Sequence, residues 1–202
     1  MASDFPLEIK QGKTLVTRFR WATPPFVYLP IEEIHLTAPL RLTVTGHGLK
    51  NGWPVAIVAC KGQGAARLNA QNDPPKPEEY RQVVIKDDDT LEFNEVNGAL
   101  ITSPVTDGFI QFYSPRDLTG FSVFMEIRNR VGGDVLFTAS SITGHFALDN
   151  DASLITLRIP PSDSEQFEFL RGVYDIEITD GTDTYLLAKG PVSVEREVTL
   201  IG

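Results

Sequence analysis

The chain has 202 residues, of which 42% are hydrophobic and 22% are charged, a composition typical of folded globular proteins and not of disordered segments. Its 18 basic and 27 acidic residues give a formal net charge of −9, which disfavours nucleic-acid binding because a phosphate backbone attracts clustered Lys and Arg. Every apolar run is far shorter than the roughly 20 residues of a spanning helix, so membrane insertion is not expected. Residues 1–4 show no signal-peptide pattern, which favours synthesis in a cytoplasm.

Apolar residues alternate with polar ones along most of the chain, which is the pattern of half-buried β-strands. In the first such run one face carries Leu15, Thr17, Phe19 and Trp21. The same alternation recurs in residues 121–128, 155–159 and 174–178. Each predicted strand has one apolar face, as a two-layer sandwich requires, so the sequence predicts an all-β fold.

The segment 31–113 differs in character and is predicted to be an insertion. It contains the tight turn Gly46-His47-Gly48 and a proline-rich loop at residues 73–77. Cys60 ends an apolar run that begins at Val55, so it is predicted to be a small buried hydrophobe and not a nucleophile. As the sole cysteine it forms no intrachain disulfide.

Turn residues after position 117 predict two hairpins and one helix. Gly132-Gly133 separates strands 121–128 and 135–139, and Asp180-Gly181 separates strands 173–179 and 184–189. Ser162 and Glu165 have the spacing of a capping box after two prolines, which predicts a helix of about two turns.

Three segments resemble the N-terminal domain of siphophage upper baseplate proteins. They are Gln11-Gly12-Lys13-Thr14 at the head of a strand, Asp117-Leu118-Thr119-Gly120 before a strand ending at Arg128, and the late strand 172–179. The resemblance implies an immunoglobulin-like sandwich in a virion tail or baseplate protein.

The insertion resembles a second family. Gly46-His47-Gly48-Leu49 with Gly52, and the later Leu68-Asn69-Ala70, are similar to motifs of a small β-barrel repeat. Phage tail proteins share this repeat with the first catalytic-cysteine half-domain of ubiquitin-activating enzymes. Together the resemblances imply a sandwich from residues 1–30 and 114–202 that carries a small β-barrel at residues 31–113.

No set of residues predicts catalysis, cofactor binding or a metal site. The three histidines, His35, His47 and His145, lie in turn or strand-end patterns without an adjacent nucleophile motif. Residues 149–151 begin like a calcium loop, but positions 154 and 160 hold Leu and Pro where that loop needs Gly and Glu. The acidic run 87–89 and the glycines of residues 62–64 are typical of turns and loops.

The sequence therefore predicts a structural, non-enzymatic component of a phage tail, baseplate or tail-fibre attachment region, located in the virion. Its expected partners are other tail proteins and further copies of itself, in a trimer or hexamer. Phe26 and Tyr28, in an apolar stretch bounded by prolines, are possible interface residues, although the stretch could instead fill a core between the two modules. The alternative function is binding of a host glycan or surface protein, in which the aromatic residues Tyr28, Trp53, Tyr80 and Tyr113 would form a sugar-stacking surface.

Overall fold

The structure is a computed structural model that describes residues 3–197, and it divides into two compact units. The sandwich unit contains residues 3–21, 117–150 and 154–197, and the inserted unit contains residues 22–116 together with 151–153. No helix in this described part is long and apolar enough to cross a membrane.

Strands dominate both units, which confirms the all-β fold. In chain order the strands of residues 3–197 are β1 (Ser3–Asp4), β2 (Leu7–Lys10), β3 (Leu15–Phe19), β4 (Ala22–Pro30), β5 (Glu33–His35), β6 (Leu40–Thr43), β7 (Pro54–Val58), β8 (Arg81–Gln82), β9 (Val84–Ile85), β10 (Thr90–Phe93), β11 (Phe109–Pro115), β12 (Ser122–Arg128), β13 (Val135–Ser140), β14 (Phe146–Asp149), β15 (Leu154–Ile159), β16 (Arg171–Thr179) and β17 (Thr184–Glu195). The helical elements are α1 (Pro161–Ser164) and short 3-10 turns at Ala65–Arg67, Pro77–Glu79 and Gly98–Leu100.

The sandwich unit has two sheets packed on one core. The larger has the order β1-β17-β16-β12-β13, with β2 also paired to β17, and the smaller has the order β14-β15-β3. Their inner faces share a buried cluster that includes Val123, Ile127, Ile155, Leu157, Ile176 and Ile178. Both predicted hairpins are confirmed, because β12 pairs with β13 and β16 with β17 in antiparallel register.

The N-terminal strands belong with the C-terminal half of the chain, as the sequence predicts. β2 runs parallel to β17, and β3 runs antiparallel to β15. Leu7 and Ile9 of β2 are buried in the sandwich core. The strands before and after the insertion in sequence therefore share one hydrophobic core.

The inserted unit also has two sheets, in the orders β5-β6-β10-β9 and β4-β11-β7-β8. Apolar side chains from both sheets meet in a separate core that contains Leu40, Leu42, Trp53, Ile57, Phe93 and Ile110. This unit therefore has the hydrophobic core that independent folding requires.

The predicted boundaries of the two units are wrong by several residues. Residues 22–30 were assigned to the sandwich, but β4 pairs with β11 from Ala22–Pro115 to Pro30–Phe109. This ladder places residues 22–30 and 114–116 in the inserted unit, so its ends lie at positions 22 and 116 and not at 31 and 113.

The predicted capping box is also wrong. Helix α1 is only four residues long and begins at Pro161, with Pro160 as its N-cap and no side-chain capping bond. Ser162 lies inside the helix, where its hydroxyl donates to Asp163 Oδ1 at 3.2 Å. Proline fixes a helical φ and lacks the N–H that a first-turn residue leaves unpaired, so it starts the helix two residues earlier than a Ser162 cap would.

Candidate interaction surfaces

The apolar stretch around Phe26 and Tyr28 is divided between two faces of β4. Val27 and Leu29 pack against the core of the inserted unit. Because successive side chains of a strand point to opposite faces, Phe26 and Tyr28 lie on the other side of the sheet. The sequence suggested one exposed apolar cluster, but these four residues do not form one.

The outer side of the β4-β11-β7-β8 sheet carries a row of aromatic rings. Tyr113 pairs with Phe26 across the ladder, and their rings stack with centroids 4.0 Å apart at 23°. Tyr28 and Phe109 share this side of the sheet and are 51% and 41% exposed. We call the surface formed by Phe26, Tyr28, Phe109 and Tyr113 the aromatic face.

Gln111 lies in the middle of the aromatic face and is buried. It pairs with Tyr28 on one side and with Ala56 on the other, so all three side chains point away from the core. Gln111 is nevertheless only 1% exposed. Residues Ala70, Gln71, Asn72, Asp73 and Pro75 of the loop 70–75 line a cleft together with Gln111, Tyr28 and Phe109.

Glu79 holds this loop in place. Its carboxylate accepts hydrogen bonds from the backbone N–H of Gln71, from Lys76 N at 2.7 Å and from Asn72 Nδ2 at 3.1 Å. These bonds favour the ionised carboxylate, so the pKa of Glu79 lies below its ordinary value, with the Lys76 N–H as the largest cause. The loop is thus fastened by a charged group at its base.

Two polar atoms beside the aromatic face have no hydrogen-bond partner among residues 3–197. They are the hydroxyl of Tyr80 and Nε2 of Gln111. Burial, and secondarily the nearby phenols of Tyr113 and Tyr28, raise the pKa of Tyr80 to about 12. Buried polar groups are nearly always hydrogen-bonded, so the unpaired amide of Gln111, which lines the cleft, indicates a position suited to a polar ligand.

The four aromatic residues predicted to form a sugar-stacking surface do not all lie on one surface. Trp53 is 1% exposed, and its Nε1 donates to the Tyr113 carbonyl oxygen at 2.8 Å, so it is a core residue of the inserted unit. Phe109 takes its place on the aromatic face. Sequence reasoning missed Phe109 and Gln111, although the alternation from Phe109 through Gln111 to Tyr113 was a usable signal.

A second exposed surface lies on the outer side of the six-stranded sheet in the sandwich unit. Phe124 and Leu186 are 40% and 41% exposed and flank Glu177 across neighbouring strands. The next row contains Glu126, Asp175 and Lys189. We call these six residues the open sheet face. This face combines exposed apolar groups with charged groups, as protein–protein interfaces do.

The histidines have structural surroundings. His47 is buried, and its Nε2–H donates to the Asp87 carbonyl oxygen at 3.1 Å while Nδ1 accepts from the Leu49 N–H at 3.1 Å. Both ring nitrogens therefore fasten the turn between β6 and β7. Nε2 of His35 lies 3.0 Å from Thr43 Oγ1 on the neighbouring strand.

His145 lies between a hydroxyl and a carboxylate. Its Nδ1 is 2.7 Å from Thr143 Oγ1 and its Nε2 is 2.6 Å from Asp163 Oδ2. A nucleophile needs a hydroxyl available to substrate, but Thr143 Oγ1 also accepts from the Ser140 N–H at 3.0 Å and donates to the Ser140 carbonyl at 3.1 Å. The hydrogen bonds of His145 to Thr143 and Asp163 therefore join the β13–β14 turn to helix α1.

Cys60 is a buried free thiol, as predicted. Burial, together with the charge of Asp107, raises its pKa to about 11, so the reactive thiolate is suppressed near neutral pH. Asn69 fixes the backbone of Cys60 through its side-chain amide, with an N–H to Oδ1 distance of 2.8 Å.

The two acidic turns use polar side chains within the fold. Asp89 Oδ1 accepts from the Gly46 N–H at 2.8 Å, and Asp87 Oδ1 accepts from the Asp89 N–H at 3.0 Å. In the loop 149–151, Asn150 Oδ1 accepts from the Leu118 N–H at 2.9 Å. Residues 3–197 contain no group of three or more His, Cys, Asp or Glu side chains placed to hold a metal ion.

No protein-family model matches the chain, and none of the curated proteins is similar enough to match it.

Proposed function

We propose that this chain is a structural component of a bacteriophage tail, in the baseplate or the tail-fibre attachment region, and that it acts by protein–protein assembly. The proposal rests on the backbone conformation and close packing of the glycines in the baseplate-like motifs of the sandwich unit. Gly12 and Gly120 have φ values of 72° and 79°, a region that favours glycine. A Cβ at Gly172 would lie 2.8 Å from the Arg128 carbonyl oxygen, so two motifs meet where only glycine fits.

The finer description of the fold belongs to this proposal. The two-layer packing of the sandwich unit supports an immunoglobulin-like architecture, and the two sheets around one core support a small β-barrel in the inserted unit. The buried His47 turn supports the barrel resemblance, since the motif glycines on either side have φ values of 61° and 60°.

Assembly needs exposed surfaces with some apolar area, and each unit has one. The open sheet face offers Phe124 and Leu186, and the aromatic face offers Tyr28 beside the Phe26–Tyr113 stack. Apolar groups surrounded by charged or polar ones are typical of contacts between proteins. We propose that these faces bind other tail proteins and further copies of the chain, in a trimer or hexamer within the virion.

We also propose that the chain is not an enzyme. This is supported by the use of the candidate groups inside the fold: both ring nitrogens of His47 fasten a turn, the Thr143 hydroxyl is hydrogen-bonded to the backbone of Ser140, and the thiol of Cys60 is buried. Each would have to leave a structural bond or a core position in order to act on a substrate.

The test of the assembly role compares two double variants. Phe26→Ser with Tyr28→Ser alters the aromatic face, and Phe124→Ser with Leu186→Ser alters the open sheet face. We expect at least one pair to lower the sedimentation coefficient or block incorporation into tails while circular dichroism keeps the native β signal. Unchanged sedimentation and unchanged incorporation for both folded pairs would contradict the proposal.

A specific observation favours a second function, the binding of a host receptor. The cleft beside Tyr28 and Phe109 is also lined by Gln111, whose side-chain Nε2 has no hydrogen-bond partner among the described residues. A surface of this kind suits a small polar ligand.

A further inference from the structure

We propose that the inserted unit binds a single sugar ring in the cleft above Gln111. The cleft has a volume of about 360 Å³ and is lined by Tyr28, Phe109, Gln111, Asn72, Asp73 and Pro75, among others. Small-molecule sites occupy roughly 300–1,000 Å³, so a monosaccharide fits its size. The inference goes beyond the assembly role and does not depend on it.

The floor of the cleft provides a hydrogen-bond donor. Gln111 is 1% exposed, lines the cleft and has no partner for its Nε2 among the described residues. An amide NH₂ carries two donors, and leaving them unpaired in a buried site costs free energy. A ligand oxygen at this position would satisfy the amide, and this gives the ligand a preferred place and orientation.

The walls of the cleft provide apolar surfaces. Tyr28 and Phe109 flank Gln111 on neighbouring positions of the sheet and keep about half of their surface exposed. A pyranose has C–H groups on its ring faces and hydroxyls around its edge. Aromatic rings therefore pack against its faces while polar groups bind its edge.

The rim of the cleft provides acceptors and further donors. Asn72 and Asp73 line it, and both are exposed. A sugar hydroxyl both donates and accepts, so one ring can accept from the Gln111 amide and donate to the Asp73 carboxylate. A purely apolar ligand would leave these groups unpaired.

The position of Gln111 in the sheet argues against an extended peptide. A peptide that adds to a sheet pairs with the free backbone of an edge strand. Gln111 lies on β11, whose backbone is already paired with β4 on one side and β7 on the other. The cleft therefore offers side chains only, and these favour a compact polyhydroxylated ring.

The test is a titration of the purified full-length chain, followed by NMR, with the methyl glycosides of glucose, galactose, mannose, rhamnose and N-acetylglucosamine. We expect at least one glycoside to shift the side-chain amide of Gln111 and the rings of Tyr28 and Phe109, with a millimolar Kd that corresponds to about −4 kcal/mol. A proline-rich peptide is titrated in parallel as the competing ligand class.

The sharpest variant is Gln111→Met, which keeps the length of the side chain and removes the unpaired donor. We expect it to keep or raise the melting temperature, since a buried polar group is lost, and to weaken glycoside binding about tenfold or more. Tyr28→Ser should weaken binding to a similar extent, whereas Tyr28→Phe retains the ring and should bind nearly as the parent does. Ile142→Ser, an exposed apolar change in the sandwich unit outside both named faces, is the matched control and should leave binding unchanged.

Four results would overturn the proposal. They are the absence of shifts at these residues for every glycoside up to roughly 100 mM, shifts that survive both Gln111→Met and Tyr28→Ser, a melting temperature lowered by Gln111→Met, and binding of the peptide in place of every sugar. Since the readout is binding to the purified chain, these results leave the assembly role standing.

Discussion

The side-chain amide of Asn69 brackets the backbone of Cys60: its Oδ1 accepts from the Cys60 N–H at 2.8 Å, and its Nδ2 donates to the Cys60 carbonyl at 2.9 Å. The bracket is needed because the chain leaves β7 at Ala59, where φ is 57°, and Cys60 therefore has no ladder partner. The side chain of Asn69, in the Leu68-Asn69-Ala70 motif, thus makes the two hydrogen bonds that a neighbouring strand would otherwise make to Cys60.

Replacing Asn69 should destabilise the inserted unit. Asn69→Ala leaves a part-buried N–H and C=O unpaired, so we expect a loss of about 1–3 kcal/mol in the free energy of unfolding. Asn69→Asp keeps the acceptor and loses the donor, and its effect should be intermediate. Urea unfolding measures these losses, and Asn94→Ala, at an exposed position, is the control. Equal stability of the Asn69 and Asn94 variants would show that the bracket contributes nothing.

Cys60 should react slowly with thiol reagents. Its pKa is raised to about 11, so the thiol stays protonated at neutral pH, and the side chain is buried as well. We expect the native protein to resist a disulfide exchange reagent at about pH 7.5 and to react fully after unfolding in urea. Prompt reaction of the native chain would mean that this thiol is exposed and activated.

Lowering the pH should loosen the loop 70–75, which Glu79 holds in place, before it unfolds the protein. Because the folded-state pKa of Glu79 is lowered, its contribution is present above the ordinary value of 4.5 and is lost as the pH falls through the folded value. The amide resonances of Gln71 and Lys76, which donate to this carboxylate, should shift in that acidic range. Glu79→Gln should show the loosened resonances already at neutral pH, whereas Glu95→Gln, at an exposed position, should not.

Removing the N-terminal strands should unfold the sandwich unit alone. Deletion of residues 1–21 removes β2 and β3, and with them Leu7 and Ile9 from the core. We expect residues 117–197 to lose their dispersed NMR signals, while a fragment of residues 22–116 folds because it has its own core. A fragment of residues 117–202 that is folded and monomeric by itself would contradict this arrangement.

The alternation of apolar and polar residues was sufficient to predict the strands that have one face in the core and one face in solvent. Turn residues predicted the hairpins β12–β13 and β16–β17, and the resemblance to baseplate proteins predicted the place of β3 with the C-terminal half. Alternation failed at residues 22–30, because it does not say which strand is the partner, and the ladder to β11 is set by tertiary pairing. The capping-box pattern failed at Ser162, because Pro161 and not the serine sets the start of the helix.

The candidate sites were harder to predict for a related reason. Trp53 is buried in the core of the inserted unit, and its indole N–H donates to the carbonyl of Tyr113, which is 60 residues away in sequence. Gln111 is a polar residue in an alternating strand pattern, yet it is buried beside a cleft that the distant loop 70–75 helps to line. Aromatic composition suggested a surface, whereas only the folded chain shows which rings share a face.

Location in a particle tests the central claim most directly. Peptide mapping of purified phage particles, with tails separated from heads and compared with the whole lysate, measures where this chain resides and in how many copies. The account predicts peptides from both units in the tail fraction, at a copy number that is a multiple of three. Absence of the chain from purified particles, while it remains abundant in the lysate, would contradict it.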